Sequence, residues 1–307
     1  MSAVIELSRC SKWYGHVLGI SEVSWSVEGG VVGLLGPNGA GKSTLMKLMC
    51  GLIRPSQGEV SLFGKSPRNH PHVRGRIGYC PEHEKSYDKL TAHEFVTFMA
   101  ELSGLGGASK KRAADALAMM GMDKAMNRRI GGFSKGMRQR TKLAQCLVHD
   151  PDLIILDEPL TGVDPLARAE ISERIRKLGE QGKTVVISSH VLYEIEALTT
   201  DIMVIYRGQV LAEGNVYDIR ELIDKHPHRI RIECSSPREL GAALSAAPHV
   251  VEVHFERQAV TLLTADPDAC YDLIGRHVAD LGADVRSLSS PDNNLGAVFD
   301  YLTGDAS

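Results

Sequence analysis

The chain has 307 residues, 43% of them hydrophobic, which is enough for two domains with sizeable cores. Its 35 basic and 38 acidic side chains leave a formal charge of −3, which argues against a generally basic nucleic-acid binder. Six scattered cysteines without a CxxC pair fit reduced thiols in a cytosolic protein better than a disulfide framework. There is no signal-peptide core and no apolar run near the roughly 20 residues of a membrane span.

The first thirty residues alternate as short strands over 4–8 and 23–27, about a turn at Tyr14, Gly15 and His16. Tyr14, an aromatic ahead of the glycine-rich-loop strand over 31–35, is a candidate surface for stacking adenine, preferred to Trp13. An apolar strand over 31–35 then runs into Gly36, Pro37, Asn38, Gly39, Ala40, Gly41, Lys42, Ser43 and Thr44. Leu45, Leu48, Met49 and Leu52 follow at helical spacing, so this stretch is a strand-to-helix turn. Gly36, Gly39 and Gly41 let successive N–H groups turn inward on phosphate oxygens at the positive end of a helix. Lys42 can reach the β- and γ-phosphates, and the Ser43 hydroxyl can ligate Mg²⁺, so a nucleoside triphosphate is expected here.

Beyond Gly51, strands are expected over 58–63 and 76–80, the second leading directly into Pro81 and Glu82. Cys80 and His83 lie three apart, but no second ligand pair has matching spacing, so no zinc site is expected there. Thr91 and Glu94 form a capping box, followed by Phe95, Phe98, Met99 and Leu102 on one helical stripe. Further helices are expected over 110–120, with Ala113, Leu117 and Met120 inward, and over 135–148, stopped before Pro151. Lys110, Lys111 and Arg112 read as a solvated face.

The pattern returns to α/β at 153–156, a continuous apolar run suited to a strand buried on both faces. Asp164 and Pro165 cap a helix reaching about 180; a strand over 184–188, a short helix from 191 and strands over 202–206 and 210–213 complete this part. A helical insert, about 84–150, thus interrupts a P-loop core preceded by an antiparallel β subdomain. Past a linker-like KHPHR segment, the order is βαββαβ, the ferredoxin-like pattern, with a last helix from about 292. The expected fold is an α/β P-loop domain over 1–224 and a small α+β domain over 225–307.

Asp157 ends the 153–156 strand, where a P-loop site needs a carboxylate for the Mg²⁺ shell. Glu158 projects toward the same cavity and can orient, or accept a proton from, the attacking water. His190, at the end of the 184–188 strand, can hydrogen-bond the γ-phosphate and fix both the water and Glu158.

These residues, with Ser134, Lys135, Gly136, Met137, Arg138 and Gln139 (SKGMRQ) opening the third insert helix, resemble the ATP-binding-cassette ATPases over about residues 4–220. The resemblance implies that Tyr14 stacks on adenine, that residues Gly36 through Thr44 hold the phosphates and metal, that Glu158 is the catalytic base and that His190 senses the γ-phosphate. It also implies that Ser134 and Gly136 contact the γ-phosphate of ATP held by a second cassette in a head-to-tail dimer, with Asp164 along the same seam. Two departures stand out: Lys135 replaces the second signature glycine, a change frequent in export-type members, and Glu82 replaces the lid glutamine but could still ligate Mg²⁺.

Within the family, the single cassette, the SKGMRQR form and the tail of roughly eighty residues resemble stand-alone ATPase subunits of bacterial exporters. Such a subunit would bind ATP and Mg²⁺, pair as a homodimer or heterodimer, and sit on the cytoplasmic face of the membrane against a separate permease. A groove near Glu82, Tyr87 and Leu90 would receive a permease helix, and no nucleic acid is expected as a partner. The alternative is a soluble cassette ATPase acting on nucleic acid or the ribosome. A third possibility is a tail domain that senses a small ligand.

Overall fold

The computed structural model describes residues 3–82, 87–217 and 228–290 and divides into two compact units, Met1–Val216 and Tyr217–Ser307. The expected last helix from about 292, and all of the linker-like segment except His228 and Arg229, lie outside the described residues.

The first unit opens with a hairpin of β1 (Ile5–Tyr14) and β2 (Val17–Val27), joined by a turn in which Gly15 takes φ 61°. Both strands extend well past the expected 4–8 and 23–27. Bulges, with Arg9 and Glu22 at positive φ, break the two-residue alternation without ending the pairing. Next come β3 (Val31–Leu35), α1 (Lys42–Met49) and β4 (Gln57–Leu62), and β4 pairs with the free side of β1 to give the antiparallel order β2-β1-β4. Leu45, Met46, Leu48 and Met49 of α1 are buried in the core this sheet shares with β3 and its neighbours. Removing each such side chain from water stabilises the fold by about 1.5–3 kcal/mol.

A short α2 (Pro71–Arg74) and β5 (Ile77–Cys80) precede the helical insert of α3 (Ala92–Leu102), α4 (Ser109–Met119) and α5 (Lys135–Leu147). The capping box of α3 is formed in both directions. Glu94 N–H donates to Thr91 Oγ1 at 3.1 Å, and Thr91 N–H donates to the Glu94 carboxylate at 2.8 Å. The buried stripe of α3 differs from the expected one. Ala92, Phe95, Val96 and Ala100 face inward, whereas Phe98 and Leu102 are 44% and 69% exposed.

After the insert come β6 (Leu153–Leu156), α6 (Pro165–Glu180), β7 (Thr184–Ser189), α7 (Leu192–Glu196), β8 (Asp201–Tyr206) and β9 (Gln209–Asn215). They join β3 and β5 in a six-stranded sheet of order β5-β6-β7-β3-β8-β9, parallel except for β9. Every residue of β6 and β7 is buried, the signature of strands covered on both faces. Because β3, β6 and β7 run parallel and adjacent, their carboxyl ends bring Gly36, Asp157 and His190 to one edge of the sheet.

The second unit comprises β10 (His228–Cys234), α8 (Pro237–Leu244), β11 (Val250–Phe255), β12 (Ala259–Thr264), α9 (Pro267–Leu281) and β13 (Val285–Ser289). Its four strands form an antiparallel sheet of order β11-β12-β10-β13. Ile230, Ile232, Val260 and Leu262 pack there against Leu240, Leu244 and Ile274 of the helices. His228 opens β10 instead of belonging to the linker.

Candidate nucleotide site

The turn after β3 is fixed by close backbone approaches. Gly36 N–H donates to the Ser189 carbonyl of β7 at 3.3 Å, and a Cβ on Gly36 would collide with the Ile205 carbonyl of β8. Gly41 caps α1 at φ 112°, with the Gly19 carbonyl 2.8 Å from where its Cβ would stand. Ala40 is buried, its N–H donating to the Pro37 carbonyl at 3.2 Å, while Asn38 and Gly39 lie exposed at the tip. Ser43 and Thr44 are half-buried in the first turn of α1. Lys42, only 5% exposed, folds back over this loop: Nζ donates to the carbonyls of Gly36 at 2.6 Å and Pro37 at 3.1 Å.

Tyr14 stands beside the same helix. A Cβ on Gly19 would lie 3.0 Å from the Tyr14 ring and 3.3 Å from the Thr44 methyl, so the two side chains flank one glycine. The ring is about half exposed, and Lys12 Nζ lies 5.3 Å from its centroid, on the cation–π side of contact.

At the ends of β6 and β7 the polar groups form one network. Ser188 Oγ donates to Asp157 Oδ1 at 2.9 Å and accepts from Glu158 N–H at 2.9 Å, so a single hydroxyl orients both acidic residues. Glu158 takes φ 50°, a left-handed backbone costing a non-glycine residue about 1–3 kcal/mol. Its carboxylate is held from three sides: Lys42 Nζ at 3.1 Å from Oε1, with Thr161 Oγ1 at 2.9 Å and His190 Nδ1 at 3.0 Å from Oε2. The loop bearing His190 is braced below by buried Glu194, which accepts from Ser189 Oγ at 2.8 Å and pairs with Arg168 of α6 at 3.3 Å.

A second cluster lies at the N-termini of α5 and α6. Ser134 caps α5, its Oγ accepting from Met137 N–H at 3.3 Å, and Asp164 caps α6, accepting from Ala167 N–H at 3.0 Å. Gly136 packs on that corner, where a Cβ would stand 3.0 Å from Ala167 Cβ and 3.6 Å from Asp164 Oδ2. Ser134 and Asp164 are exposed, and among the described residues no hydrogen bond or ion pair joins Ser134 or Gly136 to the Lys42–Glu158 pair. Glu82 is exposed just beyond β5, and its carbonyl and that of Pro81 accept from Lys142 Nζ of α5 at 3.1 and 2.7 Å.

The sequence reading therefore names Lys42, Asp157, Glu158 and His190 but misses Ser188 and Thr161, which orient them. Ser188 carries a faint signal: a hydroxyl in a strand whose every residue is buried needs a polar partner. Among the described residues no group of three His, Cys, Asp or Glu side chains could hold a metal ion. The donors at hand, one hydroxyl at Ser43 and one buried carboxylate at Asp157, suit Mg²⁺, which takes one or two carboxylates and completes its shell with phosphates and water.

Fold and site together define a P-loop ATPase of the cassette type. A family model described as ABC transporter matches residues 20–161. The chain is 33% identical to the bacitracin transport ATP-binding protein BcrA of Enterococcus faecalis over 307 residues, covering 99% of this chain and 97% of that protein. It is likewise 33% identical to the daunorubicin/doxorubicin resistance ATP-binding protein DrrA of Streptomyces peucetius over 306 residues, covering 98% and 92%. A solved dimeric, post-hydrolysis ATP-binding cassette bound to ADP and Pi superposes with a TM-score of 0.63 and 26% identity, covering 69% of this chain and 98% of that one. The chain belongs to the ABC transporter family as an ATP-binding subunit with ATPase activity. No helix among the described residues is long and apolar enough to cross a membrane.

Proposed function

We propose that this chain powers an exporter: two cassettes, identical or paired with a second gene product, close on ATP and move a separate membrane permease that selects the substrate. The relatives' names, bacitracin transport and daunorubicin/doxorubicin resistance, support the export direction. The cytoplasmic face of the membrane is the matching location. The groove near Glu82, Tyr87 and Leu90 would receive the permease helix.

The observation that carries the reading is the separation of the two site halves. Lys42, Glu158 and His190 meet around one carboxylate, while the exposed Ser134 at the start of α5 has no polar link to them. A site completed by the signature helix of a second cassette accounts for both. In it, Tyr14 stacks the adenine, and Gly36, Asn38, Gly39, Ala40, Gly41, Lys42, Ser43 and Thr44 enclose the phosphates. Ser134, Gly136 and Asp164 close the site from the opposite subunit.

Glu158 acts as the base that draws a proton from the attacking water, and His190 holds that carboxylate and the γ-phosphate in register. Mg²⁺, when bound with the nucleotide, neutralises charge building on the phosphate oxygens; Ser43, Asp157 and Glu82 would hold it. The domain division is read as 1–224 for the ATPase, with its insert over about 84–150, and 225–307 for an accessory domain. The strand order β11-β12-β10-β13 with two helices on one face supports a ferredoxin-like fold for the latter.

The test is the solution mass of the Glu158→Gln variant by light scattering. Conversion from monomer to dimer on adding ATP and Mg²⁺ is expected. A mass that stays monomeric with ATP bound would remove the composite site from the isolated chain.

A further inference from the structure

The edge strand β5 is bound on one side by the β6 ladder, and Asp157 N–H extends that ladder by donating to the Cys80 carbonyl at 2.9 Å. One face packs into the core with Ile77 and Tyr79, and the other meets α5, the helix that Ser134 opens, and the turn just past it. His149, just past α5, meets the Ile77 carbonyl through Nε2 at 3.1 Å. Gly78 lies so close to Cys146 that a Cβ there would stand 2.8 Å from Sγ. Gln139 Nε2 approaches Cys80 Sγ at 3.9 Å, and Lys142 Nζ ends the series on the carbonyls of Pro81 and Glu82.

Residues 139, 142 and 146 share one helical stripe, so the signature helix lies along β5 and grips the segment that leads to Glu82. A charged ammonium donating to two carbonyls at once makes the strongest of these links. The helix that would meet the nucleotide of one site thus fixes the backbone of Glu82 in the other.

We propose that Lys142 is a positioning residue for the metal side of the nucleotide site. By holding the Pro81 and Glu82 carbonyls it ties the Glu82 carboxylate to the signature helix, so that a shift of Ser134 moves Glu82 in the same subunit. The inference rests on the proposed reading of Glu82 as a metal-side residue.

The experiment measures equilibrium ATP affinity of the full chain in a Glu158→Gln background, once with Mg²⁺ and once with EDTA. The ratio of the two affinities is the readout, because general damage to the fold lowers both alike. Lys142→Met should lower this ratio by about tenfold, the lower end of the effect of removing an outer-shell partner. Lys142→Arg, which keeps a donor, should hold it within about twofold of the parent. Added to Glu82→Ala, Lys142→Met should change the ratio no further.

If Glu82→Ala lowers the ratio and Lys142→Met does not, the proposal fails while the reading of Glu82 stands. A Lys142→Met effect of full size in the Glu82→Ala background also overturns it. If Glu82→Ala leaves the ratio unchanged, both fall. Should Lys142→Met not fold, Lys142→Gln takes its place and is judged by the same ratio.

Discussion

Lys42 and Glu158 face each other at 3.1 Å beneath the P-loop, their side chains only 6% and 5% exposed. On the proposed reading, the cation that would meet the phosphates is thus paired with the carboxylate that would act on the water. A triphosphate entering the loop would compete with Glu158 Oε1 for Lys42, so on this reading binding the nucleotide and freeing the base would be one exchange. Attraction between such groups is far stronger in a buried site than in water, and so is the cost of leaving one alone.

Lys42→Met should accordingly do more than weaken ATP binding. It leaves Glu158 buried beside His190 without its ammonium partner, and breaking a buried pair costs about 3–5 kcal/mol. Thermal unfolding without nucleotide should show a clear loss of Tm for Lys42→Met and partial recovery in the Lys42→Met, Glu158→Gln double variant. Additive losses in the double variant would mean that the two side chains are not coupled.

Ser188→Ala removes the hydroxyl that donates a hydrogen bond to Asp157 Oδ1 and accepts one from Glu158 N–H. The two acidic residues stay in place but lose their common anchor. Steady-state ATPase activity should fall by about 10- to 100-fold, with the Mg²⁺ needed for half activity raised, as for other partners of metal-holding carboxylates. Ser188→Thr, which keeps the hydroxyl, should retain more activity than Ser188→Ala; equal losses would point to packing instead.

The parts of this site most legible in the sequence are those where local geometry admits few residue types. Gly36 must clear the Ile205 carbonyl and Gly41 must reach φ 112°, so the glycine spacing alone announces the loop. The insert was legible as helices but not as faces. Phe95 lies on two apolar stripes of α3, and only packing against the rest of the insert selects Val96 and Ala100 over Phe98 and Leu102. The lengths of β1 and β2 were hidden because a bulge shifts the alternation without ending the strand. Ser188 and Lys142 act on residues 31 and 60–61 positions away, and spacing along the chain does not encode such partners. Thr161 is only three from Glu158 but lies in a loop, where no helical period sets which side chains meet.

Tyr14 flanks Gly19 together with Thr44, which places its ring near the first turn of α1. Stacking depends on the ring and not on its hydroxyl. Tyr14→Ala should weaken ATP binding by about 1–3 kcal/mol, about 5- to 150-fold, while Tyr14→Phe should bind within about twofold of the parent. Fluorescence titration with ATP decides it, and equal affinity for Tyr14→Ala would remove Tyr14 from the adenine site.

His149 should make the fold sensitive to mild acid. Burial is the main cause that holds its pKa below the ordinary 6.5, with Arg112 and Lys183 acting the same way and the Ile77 hydrogen bond and Asp150 opposing. Because Nε2 meets a carbonyl, it must carry the proton of the neutral ring, and Nδ1 is buried without a hydrogen-bond partner among the described residues. Adding a second proton therefore creates a buried charge whose new Nδ1–H has no hydrogen-bond partner among the described residues. The unfolded chain accepts that proton near 6.5 and the folded chain only at lower pH, so the unfolded state binds more protons in between. Stability is complete above about pH 6.5 and declines as pH falls from there through the folded pKa. The neighbouring Asp150, held below its ordinary 3.8 chiefly by Lys183 at 2.7 Å, titrates in a separate window further toward acid. Denaturant unfolding between about pH 7.5 and 5 should show a shallower acid loss for His149→Gln than for the parent chain. Parallel slopes would mean that the ring takes its proton in the folded protein as easily as in the unfolded one.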